Sequence, residues 1–161
     1  MPQKTPFTIA AEKLHAEGSR AAAERIRTEG RIVRKLIETG LEIAGAADLN
    51  DGEEWVIMRS TSVSDILAAS FSTDEDRIRF RSPDGSMNAV FYLVYGNDGF
   101  DVISDYSDND TAAKIMAIVS PYIDWLEDAP ARRNRMEDGF GGYMSDAAAR
   151  AHERRSLGSE S

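Results

Sequence analysis

The chain has 161 residues, a hydrophobic fraction of 42%, 6 Phe, 5 Tyr and 2 Trp, which is enough apolar material for one domain with its own core. It contains no cysteine, which excludes disulfides, thiol catalysis, iron–sulfur clusters and thiolate zinc sites. The formal net charge is −9, and an acidic chain repels nucleic-acid phosphates at long range.

The charge is unevenly placed. Residues 1–47 carry 8 Lys/Arg against 6 Asp/Glu, residues 48–128 carry 5 against 17, and residues 129–161 carry 6 against 5. The start of the chain has no apolar run of secretory type, and no stretch approaches membrane-spanning length. The reading is therefore a cytoplasmic protein.

Residues 1–18 read as a flexible N-terminal segment that ends at Gly18. A helical arm follows over 19–47, with a helix from Ser19 to about Ala44. Ile26, Val33, Leu36, Ile37 and Ile43 recur at helical spacing. They fit a seam that Glu29 and Gly40 weaken, and they are the candidate homo-oligomer interface. The alternative is an amphipathic helix packed on its own domain.

Asp48 to Glu54 reads as an acidic, turn-rich link. Strands are expected at about 55–60, 77–81, 87–95 and 100–106, giving an antiparallel sheet of about four strands. A short helix over 63–71 is expected between the first two, started by a capping box at Ser62 and Asp65. The run RIRFR alternates cleanly, placing Ile78 and Phe80 inward and Arg77, Arg79 and Arg81 outward. Residues 87–95 are apolar on both faces and belong inside the sheet. In the strand read over 100–106, Asp101, Ile103 and Asp105 share one face. An amphipathic helix over 109–127, capped within Ser107 to Asp110, packs on the sheet, and Pro121 kinks or restarts it.

Residues 129–161 read as a linker and a short helical or disordered tail. The linker carries a docking patch at Phe140, Tyr143 and Met144, and the short helix runs from Ser145 to about Arg155. The fold class is α+β. Residues 19–128 form a single domain, of which 48–128 is the acidic sheet–helix core.

No phosphate loop, nucleophile elbow or metal-ligand spacing appears. His15 and His152 lie far apart in polar surroundings. No cofactor or metal is expected, and the chain reads as a non-enzymatic interaction protein of a bacterium or phage. Its candidate partner-binding face is acidic: Asp98, Asp101, Asp105, Asp108, Asp110, Asp124, Glu127 and Asp128. That face suits an inhibitor or adaptor that occupies a basic protein surface by mimicking nucleic acid, as some anti-CRISPR inhibitors do.

Two alternatives stand beside it. Asp101, Asp105 and Asp108 could hold a divalent metal for a small hydrolase or nuclease. Arg77, Arg79 and Arg81 could bind anions as part of a nucleic-acid-binding regulator. RNA recognition on a sheet wants exposed aromatics among the arginines, and Phe80 points the other way. The tail arginines Arg132, Arg133, Arg135, Arg154 and Arg155 are too few and too mixed with acids to indicate nucleic acid.

Overall fold

The computed structural model describes residues 4–129. In chain order the elements are α1 (Pro6–Ala16), α2 (Arg20–Ala44), β1 (Ala46–Asn50), β2 (Trp55–Ser60), α3 (Val63–Ala69), β3 (Glu75–Arg81), β4 (Asn88–Val94), β5 (Ile103–Tyr106) and α4 (Asp110–Glu127). The expected features at Phe140, Tyr143, Met144, Ser145–Arg155, His152 and the tail arginines lie outside the described residues.

Helix α2 is one amphipathic rod of 25 residues. It stops at Gly45, whose φ of 109° lets the chain turn directly into β1. Two caps foreseen from the sequence form. The Ser62 hydroxyl accepts from the Asp65 N–H at 3.2 Å. The Asn109 side chain accepts from the Ala112 N–H at 2.9 Å, and its amide donates to the Asn88 carbonyl at 2.8 Å. That second bond ties the start of α4 to the start of β4. Helix α4 runs through Pro121 without interruption, so the expected kink or restart does not break the element.

The sheet is antiparallel with strand order β2-β1-β3-β4-β5. It has five strands, one more than expected. The additional one, β1, lies where an acidic link was read. AADLN is short and carries Asp48, so it shows no strand pattern of its own. It becomes a strand by pairing with β2 on one side and β3 on the other.

Its inward residues Ala47 and Leu49 face the helices together with Ile78, Phe80, Ala89, Phe91 and Leu93, all buried. Helices α2 and α4 pack together over this face, and α3 fills the corner beside β2. Gly40 lets α2 approach closely. A Cβ built there would lie 2.3–2.4 Å from three ring atoms of Phe80.

The N-terminal segment also differs from expectation. Residues 6–16 form α1, capped by Thr5, whose hydroxyl accepts from the Thr8 N–H at 3.2 Å. Phe7 and Ala11 anchor the helix in the core, with Ala10 and Leu14 packed beside them. Phe7 stacks on Phe71 with centroids 4.7 Å apart and meets Tyr95 edge-on at 5.6 Å. Phe71 adopts φ 65°, costly for a bulky residue, and its N–H donates to the buried Asp76 carboxylate.

The helix residues expected at an oligomer interface are spent inside the chain. Ile26, Val33, Leu36 and Ile37 are buried in the core, and Ile43 packs against it. These side chains therefore serve the chain's own core.

Candidate functional site: the face of the sheet opposite the helices

With the helices on one side, the alternate residues of each strand point to the opposite side. Register places them in rows. One row runs Trp55, Asn50, Arg77, Tyr92 and Asp105 across all five strands. The next joins Asp48, Arg79 and Val90, and a third joins Ala46, Arg81 and Asn88. The three arginines expected to share a face therefore do. Aromatics stand beside them, contributed by the neighbouring strands rather than by β3 itself. Arg79 lies over the Trp55 ring at 4.5 Å from its centroid, and Arg77 lies over Tyr92 at 5.0 Å.

Trp55 is 37% and Tyr92 39% exposed, and Val56, Met58 and Tyr106 nearby are also exposed. Apart from Ile9 on α1, these are all the exposed large hydrophobics among the described residues. Of these, Trp55 and Tyr92 share the face of the arginines, whereas Tyr106 pairs with the buried Phe91 and lies on the helix side; exposed aromatics beside arginines are typical of interaction surfaces.

Asp48 is the hinge of this surface. It points to the open side yet has no exposed area, because the arginines cover it. Its Oδ2 lies 2.9 Å from Arg79 Nη2 and 2.8 Å from Arg81 Nε, and its Oδ1 accepts from the Arg59 N–H at 2.7 Å. Arg59 has φ 51° and sits in a register shift between the Ala47↔Ser60 and Leu49↔Ile57 pairs. This bulge aims its N–H at the carboxylate. Burial opposes the charge on Asp48, but the Arg59 N–H and the two guanidiniums outweigh it and hold the carboxyl below its ordinary value. One buried acid thus fixes two arginines in place.

The acidic residues are arranged otherwise. Strand β5 begins only at Ile103, so Asp101 lies in the preceding loop. A register shift after Tyr92↔Asp105 turns Ile103 inward against Leu93, which separates it from the face of Asp105. Asp98 accepts from the Phe100 and Asp101 N–H groups and shapes its own loop. Asp108 precedes α4 and Asp110 opens it, while Asp124, Glu127 and Asp128 lie at its far end. At 1.5 Å per residue those two ends are roughly 20 Å apart. Among the described residues no three Asp, Glu or His side chains gather as a metal site, so Asp101, Asp105 and Asp108 do not assemble as one.

A second acidic group is internal. Asp76 accepts from the Tyr95 hydroxyl and the Phe71 N–H, and Glu29 accepts from the Gly96 N–H at 3.0 Å. Burial raises both carboxyls above their ordinary values. The Glu29 bond closes the β4–β5 loop onto α2, and the Asp76 bonds tie Phe71 and Tyr95 to β3. Trp55, Tyr92 and Asp48 were not read as site residues. The available signal was the outward phase of WVIMRS and of AVFYLV, but register alone shows that those phases meet beside the arginines.

No family model matches the chain, and neither a curated protein nor a solved structure is significantly similar to it. No helix among the described residues is long and apolar enough to cross a membrane.

Proposed function

We propose that this chain is a non-enzymatic protein-interaction module that receives an acidic protein partner on the open face of its sheet. The observation carrying the reading is the row Trp55–Asn50–Arg77–Tyr92 with Arg79 stacked beside it. Trp, Tyr, Arg and Met are the residues enriched at the centres of protein interfaces. Arg77 stacked on Tyr92, and Arg79 stacked on Trp55 and tethered to Asp48, lose little freedom on binding, and Arg77, which is not on Asp48, presents a fork that suits carboxylates. This reverses the sign of partner first read from the composition. Of the acids that suggested a basic partner, Asp105 stands in the same row as Tyr92, while Asp98 and Asp101 lie in a loop and Asp124, Glu127 and Asp128 lie at the far end of α4.

Selection from a random peptide library at about physiological salt tests the reading. Wild type should enrich Asp/Glu-rich peptides, and the Arg77→Glu/Tyr92→Ala variant should not. Enrichment of basic peptides, or equal enrichment by both proteins, would overturn it. A second reading is single-stranded nucleic acid stacked on Trp55 and Tyr92, favoured by the alternation of aromatics and arginines across the strands. Its signature is oligouridine binding that weakens steeply with salt and is lost in the same variant.

A further inference from the structure

We propose a separate anion site on the helical side of the molecule, a cleft that binds a small polyphosphate-bearing ligand of nucleotide size. The cleft has a volume of about 400 Å³ and lies between the start of α1, the outer face of α2 and α4. That volume falls in the range of small-molecule sites. Four cations line it: Arg27, Arg31, Arg34 and Lys35. Positions 27, 31, 34 and 35 share one stripe of a helix, so α2 presents them as a single strip.

Among the described residues one carboxylate, Glu38, lines the cleft with them. The cluster sits where the molecule is concave, in a chain of net charge −9. On the sheet, Arg79 and Arg81 are neutralised by Asp48. In the cleft Arg27 reaches Glu24 only loosely, at 3.7 Å, and among the described residues Arg31 and Arg34 have no ion-pair or hydrogen-bond partner. Holding Arg31 and Arg34 side by side without a counter-charge costs free energy, which a polyanion would relieve.

The ring of Tyr122 forms part of the wall, with Lys35 Nζ 5.6 Å from its centroid. A cation beside an aromatic wall suits a ligand that joins phosphates to a planar group. Monovalent anions would be held weakly, since they can engage one or two of the four cations at a time.

Calorimetric titration with inorganic triphosphate, ATP and adenosine, without divalent metal, tests the proposal. Triphosphate and ATP should both bind wild type and adenosine should not. The Arg31→Glu/Arg34→Glu variant should lose affinity by at least about tenfold, since charge-assisted hydrogen bonds each contribute a sizeable share. The milder Arg31→Gln/Arg34→Gln pair, checked for an unchanged unfolding temperature, serves if charge reversal disturbs the fold. Failure of triphosphate to bind wild type at roughly millimolar concentration overturns the proposal. So does equal binding by a folded variant, or adenosine binding as well as ATP. None of these outcomes bears on the sheet face, which is probed with peptides and a different variant.

Discussion

Replacing Gly40 by alanine reverses the sign of a standard helix rule. A glycine inside a helix costs about 1 kcal/mol relative to alanine, so Gly40→Ala should stabilise α2 considered alone. In the folded chain the new Cβ would stand 2.3–2.4 Å from Cε1, Cδ1 and Cζ of Phe80. Carbon atoms settle at about 3.5–4.0 Å, so more than 1 Å must be recovered by moving the ring or the helix. Phe80 has no exposed area and meets Phe91 edge-on at 5.7 Å, so the ring has no free space to enter. Overpacking of this kind costs typically 1–3 kcal/mol, and a clash with three ring atoms belongs at or beyond the upper end. After subtracting the helix gain, a net loss of about 2 kcal/mol remains, which lowers Tm by roughly 5–10 °C for a domain of this size. Urea and thermal unfolding followed by circular dichroism measure it. Phe80→Leu in the Gly40→Ala background should recover part of the loss, as a positive coupling in a double-mutant cycle. A Tm equal to or above wild type for Gly40→Ala would refute the close packing of α2 on the sheet.

Four further outcomes are expected. Asp48→Ala leaves Arg79 and Arg81 unneutralised side by side and the Arg59 N–H without its acceptor; a loss near 3 kcal/mol in urea unfolding is expected, and a loss below about 0.5 kcal/mol would contradict it. Phe7→Ala should cost about 3–5 kcal/mol and strip hydrogen-exchange protection from Pro6–Ala16 first; unaltered protection there would mean that α1 is held by something else. Leu36→Ala should lower Tm by the same amount at every protein concentration, because Leu36 serves the chain's own core; a concentration-dependent shift would restore the oligomer reading. For pH, Glu29 has a folded pKa raised above 4.5 by burial. Its contribution to stability is therefore greatest below that value and is lost as the pH rises through the raised folded value. Wild type should gain stability relative to Glu29→Gln as the pH is lowered from 7 into the carboxyl range, and parallel pH curves for the two proteins would sink the assignment.

Much of the architecture was legible because its signals are local. RIRFR alternates, the helix residues from Ile26 to Ile43 recur at helical spacing, and Ser62 and Asn109 are short polar side chains at helix starts. These patterns persist in the folded chain because each depends on neighbours a few residues away. AADLN was illegible because it borrows its strand character from β2 and β3, which follow it in sequence. Phe7 was illegible for the same reason, since its partners Phe71 and Tyr95 lie more than sixty residues on. The candidate site follows suit. Arg77, Arg79 and Arg81 announced their shared face by alternation, whereas Trp55, Tyr92 and Asp48 join them only through register.

By itself, then, the sequence determined the α+β class, the helices read from Ser19 to about Ala44 and over 109–127, the phase of the RIRFR strand and its outward arginines. Those are consequences of backbone period and capping, which act over a turn or a pair of residues. Only the tertiary structure decided which face of the sheet the described helices cover, that the N-terminal helix is docked, and that Trp55 and Tyr92 converge on the arginines. Which face is covered depends on where α2 and α4 come to rest. That is set by contacts such as Gly40 on Phe80, between residues forty apart in the chain. No pattern within either segment records such a contact, because its energy exists only once both surfaces have met.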